Sequence, residues 1–387
     1  MMIYVPYCIS KGNTIIFRIF FFLVLAGLGS CRKAKPKPAK VSLEEKVGQM
    51  LLLGFQGSRL DNAFLGEFQE QMRNYPVSGV LFFRHNIENP QQFRKLIQSF
   101  RDIPKKHPLF YAIDMEGGKV ARLNKKNGYK NFPSAQQVGK WNAQKTYQNY
   151  QEMAALLAEN GINFNFAPVV DLDLGSPVIS GLQRSFSKRK RVVIRHARQM
   201  IRAMQEQKIL SCLKHFPGHG SAKGDTHKGI VDITRPWSYH ELVPFLSLAS
   251  QAPAIMTAHV YHRQLDAYLP ATLSPTILKY LKPDNFRGIY VSDDMHMGAI
   301  LKRKKNYHEA LEESVLLAIK AGINLLVFSN NPLAAKGVKG FQPDAKLLEK
   351  VTKYIVTAVA TGKLDKNYID KSYQKILQVK KKYLKRK

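Results

Sequence analysis

Residues 211–220 read Ser-Cys-Leu-Lys-His-Phe-Pro-Gly-His-Gly. The stretch starts as a short apolar run and ends in cations, imidazoles and glycines. Such a run suits a buried parallel strand, in which neither face meets water. Lys214 is the informative residue. It sits inside the run, and an unpaired ammonium buried there would be costly. It therefore needs a carboxylate or a ligand hydroxyl beside it. Gly218, Gly220 and Gly224 follow. They predict a conformationally permissive loop that folds over a ligand.

Working outward, the same pattern recurs. Short, β-branched or aromatic runs lie at 50–55, 79–83, 110–114, 164–168, 254–259, 289–293 and 325–328. Amphipathic helical patterns at 60–73, 90–101, 145–160, 192–207 and 307–321 separate them, and two more at 344–361 and 368–384 close the chain. Eight strands alternating with helices predict a (β/α)8 TIM barrel as one domain over residues 43–387. An open doubly wound sheet fits less well, because no Gly-rich phosphate loop follows the first strand.

In a barrel, chemistry collects at the C-terminal ends of the strands. The third predicted strand ends at Asp114, the fifth carries Lys214 and His215, the sixth ends at His259, and the seventh ends at Asp293 and Asp294. One Asp after a strand is ordinarily a turn or a helix N-cap. The functional reading rests on polar ends at several strands together. Asp225 and His227 stand two apart in what reads as an extended piece, so their side chains project to one side. The carboxylate would then fix the imidazole tautomer and stabilise its protonated form, giving a proton donor near neutral pH. A metal site on His215, His219 and His227 competes with this reading. No HExxH pair supports it, and neither metal nor cofactor is expected.

The chain has 387 residues with 60 Lys+Arg against 28 Asp+Glu, a formal net charge of +32. That excess favours an anionic partner. The cations are spread along the chain, with no zinc-finger spacing and no RNP-type motif. Nucleic acid is therefore not expected; weak attraction to an anionic envelope surface is. The three cysteines are Cys8, Cys31 and Cys212. Residues 15–30, IIFRIFFFLVLAGLGS, form a short apolar run behind Lys11 and Arg18. The run is shorter than a membrane span and reads as a signal peptide over residues 1–30. Leu28-Gly29-Ser30-Cys31 resembles a bacterial lipobox, which makes Cys31 the expected lipidation site. The Lys- and Pro-rich residues 31–42 then form a tether. The expected partner set is a glycan substrate and a membrane reached through the N-terminal lipid, with the protein a monomer in the cell envelope.

Six motifs carry a family resemblance: KHFPGHG at 214–220, Asp225-Thr226-His227, IDMEGGKVARL at 113–123, RSF at 184–186, MTAHVYH at 256–262 and VSDDM at 291–295. Together they resemble the β-N-acetylglucosaminidases of glycoside hydrolase family 3, from Leu43 to the C-terminal helices. The resemblance implies a retaining, exo-acting enzyme that releases terminal N-acetylglucosamine from peptidoglycan-derived or related glycans. It implies Asp293 as nucleophile, His227 as general acid/base and Asp225 as its partner. It also implies that Asp114, Arg122, Arg184, Lys214 and His215 hold the terminal sugar, and that Asp294 is structural. Met295-His296-Met297-Gly298 departs from the family pattern, in which Leu-Ser-Met-Glu or Leu-Asn-Met is more usual. Two other readings stay open. A β-N-acetylglucosaminide phosphorylase would exploit the room a His leaves for phosphate. A non-catalytic glycan-binding lipoprotein would keep the clamp and lack the nucleophile or the dyad.

Overall fold

The computed structural model describes residues 41–384. The expected signal peptide, the expected lipidation site Cys31 and the expected tether as far as residue 40 lie outside the described residues. Eight strands form a closed barrel: β1 (Leu51–Gly54), β2 (Gly79–Phe82), β3 (Phe110–Ile113), β4 (Phe164–Asn165), β5 (Leu210–Phe216), β6 (Ala254–Thr257), β7 (Ile289–Asp294) and β8 (Leu325–Phe328). Each is hydrogen-bonded in parallel to its sequence neighbours, and β1 closes on β8. This is the predicted (β/α)8 barrel. The main boundary difference is β4. Residues 164–168 were expected to be strand, but regular pairing stops at Asn165 and resumes only as an isolated bridge between Val169 and Lys214. Pro168 has no N–H to give a ladder.

The helix Pro90–Arg101 shows why the pattern was readable. Asn89 caps it by accepting from Gln92 N at 2.9 Å, and Pro90 opens it, where its missing N–H costs nothing. Phe93, Leu96, Ile97 and Phe100 then fall on one buried stripe. Burying each such side chain contributes about 1.5–3 kcal/mol. Phe93 and Phe100 meet Phe55, just after β1, and Phe82 of β2, with ring centroids 5.1 to 6.0 Å apart.

The two ends of the barrel differ. At the N-terminal end the last helix, Lys366–Leu384, lies across the mouth. Asn324 Nδ2, just before β8, donates to Ser372 Oγ at 3.2 Å. Lys380 Nζ donates to Gln49 Oε1 at 2.7 Å and to the carbonyl of Ser78 at 2.9 Å, and it sits 4.7 Å from the Phe110 ring centroid. Burial pulls the Lys380 ammonium well below its ordinary pKa. At the C-terminal end the loops extend outward instead. Met115–Gly117 pairs antiparallel with Val120–Ala121, and Val231–Asp232 pairs with Val260–Tyr261. The first of these ribbons borders, through Val120, a pocket over the strand ends.

Tight packing between β2 and β3 depends on Gly79. A Cβ there would lie 2.1 Å from the carbonyl oxygen of Phe110. Gly79→Ala is expected to lower stability by about 3 kcal/mol, as overpacking forces the backbone apart. Chemical denaturation checks this; an unchanged midpoint would contradict so close an approach.

Candidate active site

The pocket at the C-terminal ends of the strands has a volume of about 300 Å³. Asp114, Arg122, Arg184, Lys214, His215, Asp225, His227 and Asp293 all line it. The eight residues singled out in the sequence are therefore brought together.

Five of them belong to one buried charge network. Asp114 follows β3; its two oxygens accept from Lys214 Nζ at 2.9 Å and Arg122 Nη2 at 2.8 Å. Lys214 Nζ also lies 2.7 Å from Glu116 Oε1. Glu116 binds Arg184 through both oxygens, each at 2.8 Å, a planar fork that fixes the guanidinium. Arg184 Nη2 lies 3.2 Å from His215 Nε2, and His215 Nδ1 lies 2.7 Å from Asp171 Oδ2. Arg184 can only donate, so Nε2 accepts and Nδ1 carries the proton.

Charge compensation decides the ionisation states. Burial pushes the Asp114 and Glu116 carboxyls up, but Lys214 and Arg122 outweigh it at Asp114, and Arg184 and Lys214 outweigh it at Glu116. Both end below the usual carboxylate range. Burial likewise opposes the Lys214 ammonium, and Asp114 and Glu116 reverse it, leaving that pKa raised. Asp114, Glu116 and Lys214 therefore stay charged. Arg122 Nε and His219 Nε2 are buried without a hydrogen-bond partner among the described residues. Orphaned donors on a pocket wall are where ligand oxygens are recognised.

Asp293 stands at the end of β7. Its Oδ1 accepts from Asp294 N at 2.8 Å. Burial raises the Asp293 carboxyl, but the nearby imidazoles of His259, His215 and His227, with that backbone bond, pull it below its ordinary value. It is held as a carboxylate. Asp294 behaves differently: burial raises its pKa, and its Oδ1 accepts from Ser329 N at 2.8 Å and His296 N at 3.1 Å. It ties β7 to the end of β8. His259 braces the same turn, with Nδ1 2.8 Å from Thr272 Oγ1 and Nε2 2.9 Å from the carbonyl of Asp294.

The segment around His227 departs from expectation. Residues 225–227 were read as extended; they form a turn, closed by Lys228 N donating to the Asp225 carbonyl at 3.0 Å. Asp225 Oδ1 accepts from His227 N at 3.0 Å and lies 2.9 Å from His227 Nδ1. The short Asp side chain captures the N–H two residues on, which favours a turn over a strand. The pairing survives on a different backbone. The loop is tethered to the chain after β7: Ala299 N donates to the Thr226 carbonyl at 3.0 Å and Lys302 Nζ to the Lys228 carbonyl at 2.9 Å. A Cβ on Gly298 would lie 2.6 Å from the His227 carbonyl oxygen. The unusual Gly298 thus lets the His227 turn sit directly on the helix that follows Asp293.

The glycines of KHFPGHG also act differently from expectation. Residues 214–222 are buried. Asp171 accepts from the N–H groups of His215 and His219, and Glu241 from those of Gly220 and Ser221. A Cβ on Gly220 would stand 2.1 Å from the Leu172 carbonyl. Close approach, rather than mobility, requires glycine here. Glu116, Asp171 and Glu241 were not singled out in the sequence. Glu116 lies inside the quoted IDMEGG stretch, and Asp171 follows the fourth predicted strand as Asp114 follows the third. Glu241 sits in the helix Tyr239–Leu248, with no sequence signal. Among the described residues no three or more His, Cys, Asp or Glu gather as a metal site.

The profile of the Glycosyl hydrolase family 3 N terminal domain matches residues 42–379. The chain is 35% identical to a beta-hexosaminidase of Tolumonas auensis, over 74% of this chain and 85% of that one. It is 32% identical to a beta-hexosaminidase of Hydrogenovibrio crunogenus, over 76% and 84%. Among solved structures, a family 3 beta-N-acetylglucosaminidase from a Paenibacillus species superposes with a TM-score of 0.77 at 27% identity, covering 89% of this chain and 63% of that one. M tuberculosis LpqI superposes at 0.75 with 26% identity, covering 89% and 95%. With a family match running through nearly the whole barrel, the chain belongs to glycosyl hydrolase family 3 and is a glycoside hydrolase.

Proposed function

We propose that this enzyme is a retaining, exo-acting β-N-acetylhexosaminidase that removes terminal N-acetylglucosamine from peptidoglycan-derived or related glycans. One observation carries the reading: an ionised Asp293 and an Asp225–His227 pair line the same pocket as a fully charged sugar clamp. The beta-hexosaminidase relatives support the bond type.

In the proposed reaction the clamp of Arg122, Asp114, Lys214, Glu116 and Arg184 orients the terminal sugar by its hydroxyls. Asp293 attacks the anomeric carbon as the bond to the leaving oxygen breaks. His227 gives its Nε2 proton to that oxygen, while Asp225 holds Nδ1 and steadies the imidazolium. A glycosyl ester on Asp293 results. Water then attacks the anomeric carbon, His227 takes its proton, and Asp293 leaves with net retention. His227 replaces the second carboxyl of the usual retaining pair. We further propose that a lipid on Cys31 holds the enzyme, as a monomer, at an envelope membrane.

The deciding assay is 4-nitrophenol release from the β-N-acetylglucosaminide and the β-glucoside, each with and without phosphate. Phosphate-independent turnover of the N-acetyl substrate alone is expected. A phosphate requirement would make the enzyme a phosphorylase, and no turnover by folded protein would favour a binding lipoprotein.

Asp293→Ala is expected to abolish turnover nearly completely while sugar binding persists. His227→Ala is expected to lose about 10²–10⁴-fold on natural linkages and much less on activated aryl glycosides, which need little protonation. Wild-type rates on natural substrate for both variants would sink the assignment. Gly298→Ala should push the His227 turn off its seat. Hydrolysis of substrates with poor leaving groups should then fall by about 10- to 100-fold, with N-acetylglucosamine affinity unchanged. Equal losses for good and poor leaving groups would show that Gly298 does not act through His227.

A further inference from the structure

The terminal helix Lys366–Leu384 buries Ile369, Ser372, Tyr373, Ile376, Val379 and Lys380 against the barrel mouth. Its other face exposes Lys371, Lys375, Lys381 and Lys382. No Asp or Glu follows Asp370 in the chain, and the ion pairs of this helix are confined to Lys46 and Lys366 with Asp370. The four outward lysines therefore have no carboxylate partner among the described residues. Lys282 and Arg287, in the loop before β7, lie close enough to Lys375 to repel its charge, and they extend the patch. Like charges set along one helix face repel each other. A stripe of this kind is relieved by an anionic partner.

Two further observations select that partner. Tyr280 stands two residues before Lys282 and is 67% exposed. An amphipathic ring beside cations suits the headgroup level of a bilayer. The described chain also starts at this end. The helix Leu43–Gly48 is tied to the bottom of the barrel by Lys106 Nζ donating to Glu45 at 2.9 Å and by Lys46 donating to Asp370 at 2.6 Å. The first described residues, from Val41, thus lie at the basic end of the barrel. The pocket with Asp293 opens at the other end of the strands.

We propose that this basic N-terminal face of the barrel rests on an anionic phospholipid surface, with the catalytic pocket turned away from the bilayer. Cationic side chains near such a surface add attraction one by one, and salt screens it. The contact does not require the lipid on Cys31. Residues 41–387 contain the closed barrel and its core, and bind on their own.

The test is sedimentation of this barrel with vesicles of equal parts phosphatidylcholine and phosphatidylglycerol, against vesicles of phosphatidylcholine alone, at low and high salt. Two variants with the same charge change are compared. One carries Lys371→Glu, Lys375→Glu, Lys381→Glu and Lys382→Glu. The other carries Lys125→Glu, Lys126→Glu, Lys188→Glu and Lys305→Glu, exposed positions after the C-terminal ends of β3, β4 and β7. The unmodified barrel is expected to bind only the anionic vesicles, and only at low salt. The first variant should lose about tenfold or more in affinity, and the second should keep it. If the first variant fails to fold by circular dichroism, the four Lys→Gln changes replace it with the same expected direction. Equal losses in both variants would overturn the proposal, as would no binding by the unmodified barrel. Tighter binding to duplex DNA than to the vesicles, through the same lysines, would assign the face to nucleic acid instead.

Discussion

The site depends on a buried ammonium. Lys214 projects from β5, a strand buried along its whole length, and it is 2% exposed. Removing such a charge from water costs several kcal/mol unless partners compensate. Here Asp114 and Glu116 do so, and each is fixed in turn by an arginine. The result is an alternating line of cations and carboxylates in which no member is neutralised. Such a line cannot relax without exposing an uncompensated charge. It is therefore rigid before any ligand arrives, which suits the proposed role of holding the terminal sugar.

The reacting groups are attached to this frame in different ways. Asp293 ends a barrel strand, and its position follows from the β7 register. Its neighbour Asp294 turns inward and takes the backbone of Ser329, so the pair divides between chemistry and support. His227 sits on a loop, and its imidazole is half-exposed. Its position follows from a turn that Asp225 closes and from a glycine, Gly298, that lets the turn settle. The proposed exchange of protons with both a leaving oxygen and water benefits from this access.

Most of the fold was legible because barrel strands are short, continuous apolar runs and the helices carry clear stripes and caps. β4 was the weak point, since Pro168 broke pairing that hydrophobicity alone implied. The clamp was legible at Lys214, where a charge interrupts an apolar run, and at the strand-end acids. Glu116 and Asp171 were missed because one acid in a loop looks like any turn residue; only the fold shows Glu116 meeting Arg184 across 68 residues of chain. The KHFPGHG glycines were recognised but assigned mobility, whereas their neighbours fill the space a side chain would need. Lys380 opens the basic run 380–387, yet it turns inward while Lys381 and Lys382 face out. Helical phase against a partner surface decides that, and the sequence of the tail alone does not contain the partner.

The central claim is that Asp293 forms a covalent bond to the sugar. Proton NMR of the anomer first released from 4-nitrophenyl β-N-acetylglucosaminide tests it most directly, recorded before mutarotation proceeds. The β anomer appearing first is the predicted result, because two inversions at one carbon restore the starting configuration. The α anomer appearing first would mean direct attack by water and would contradict the account.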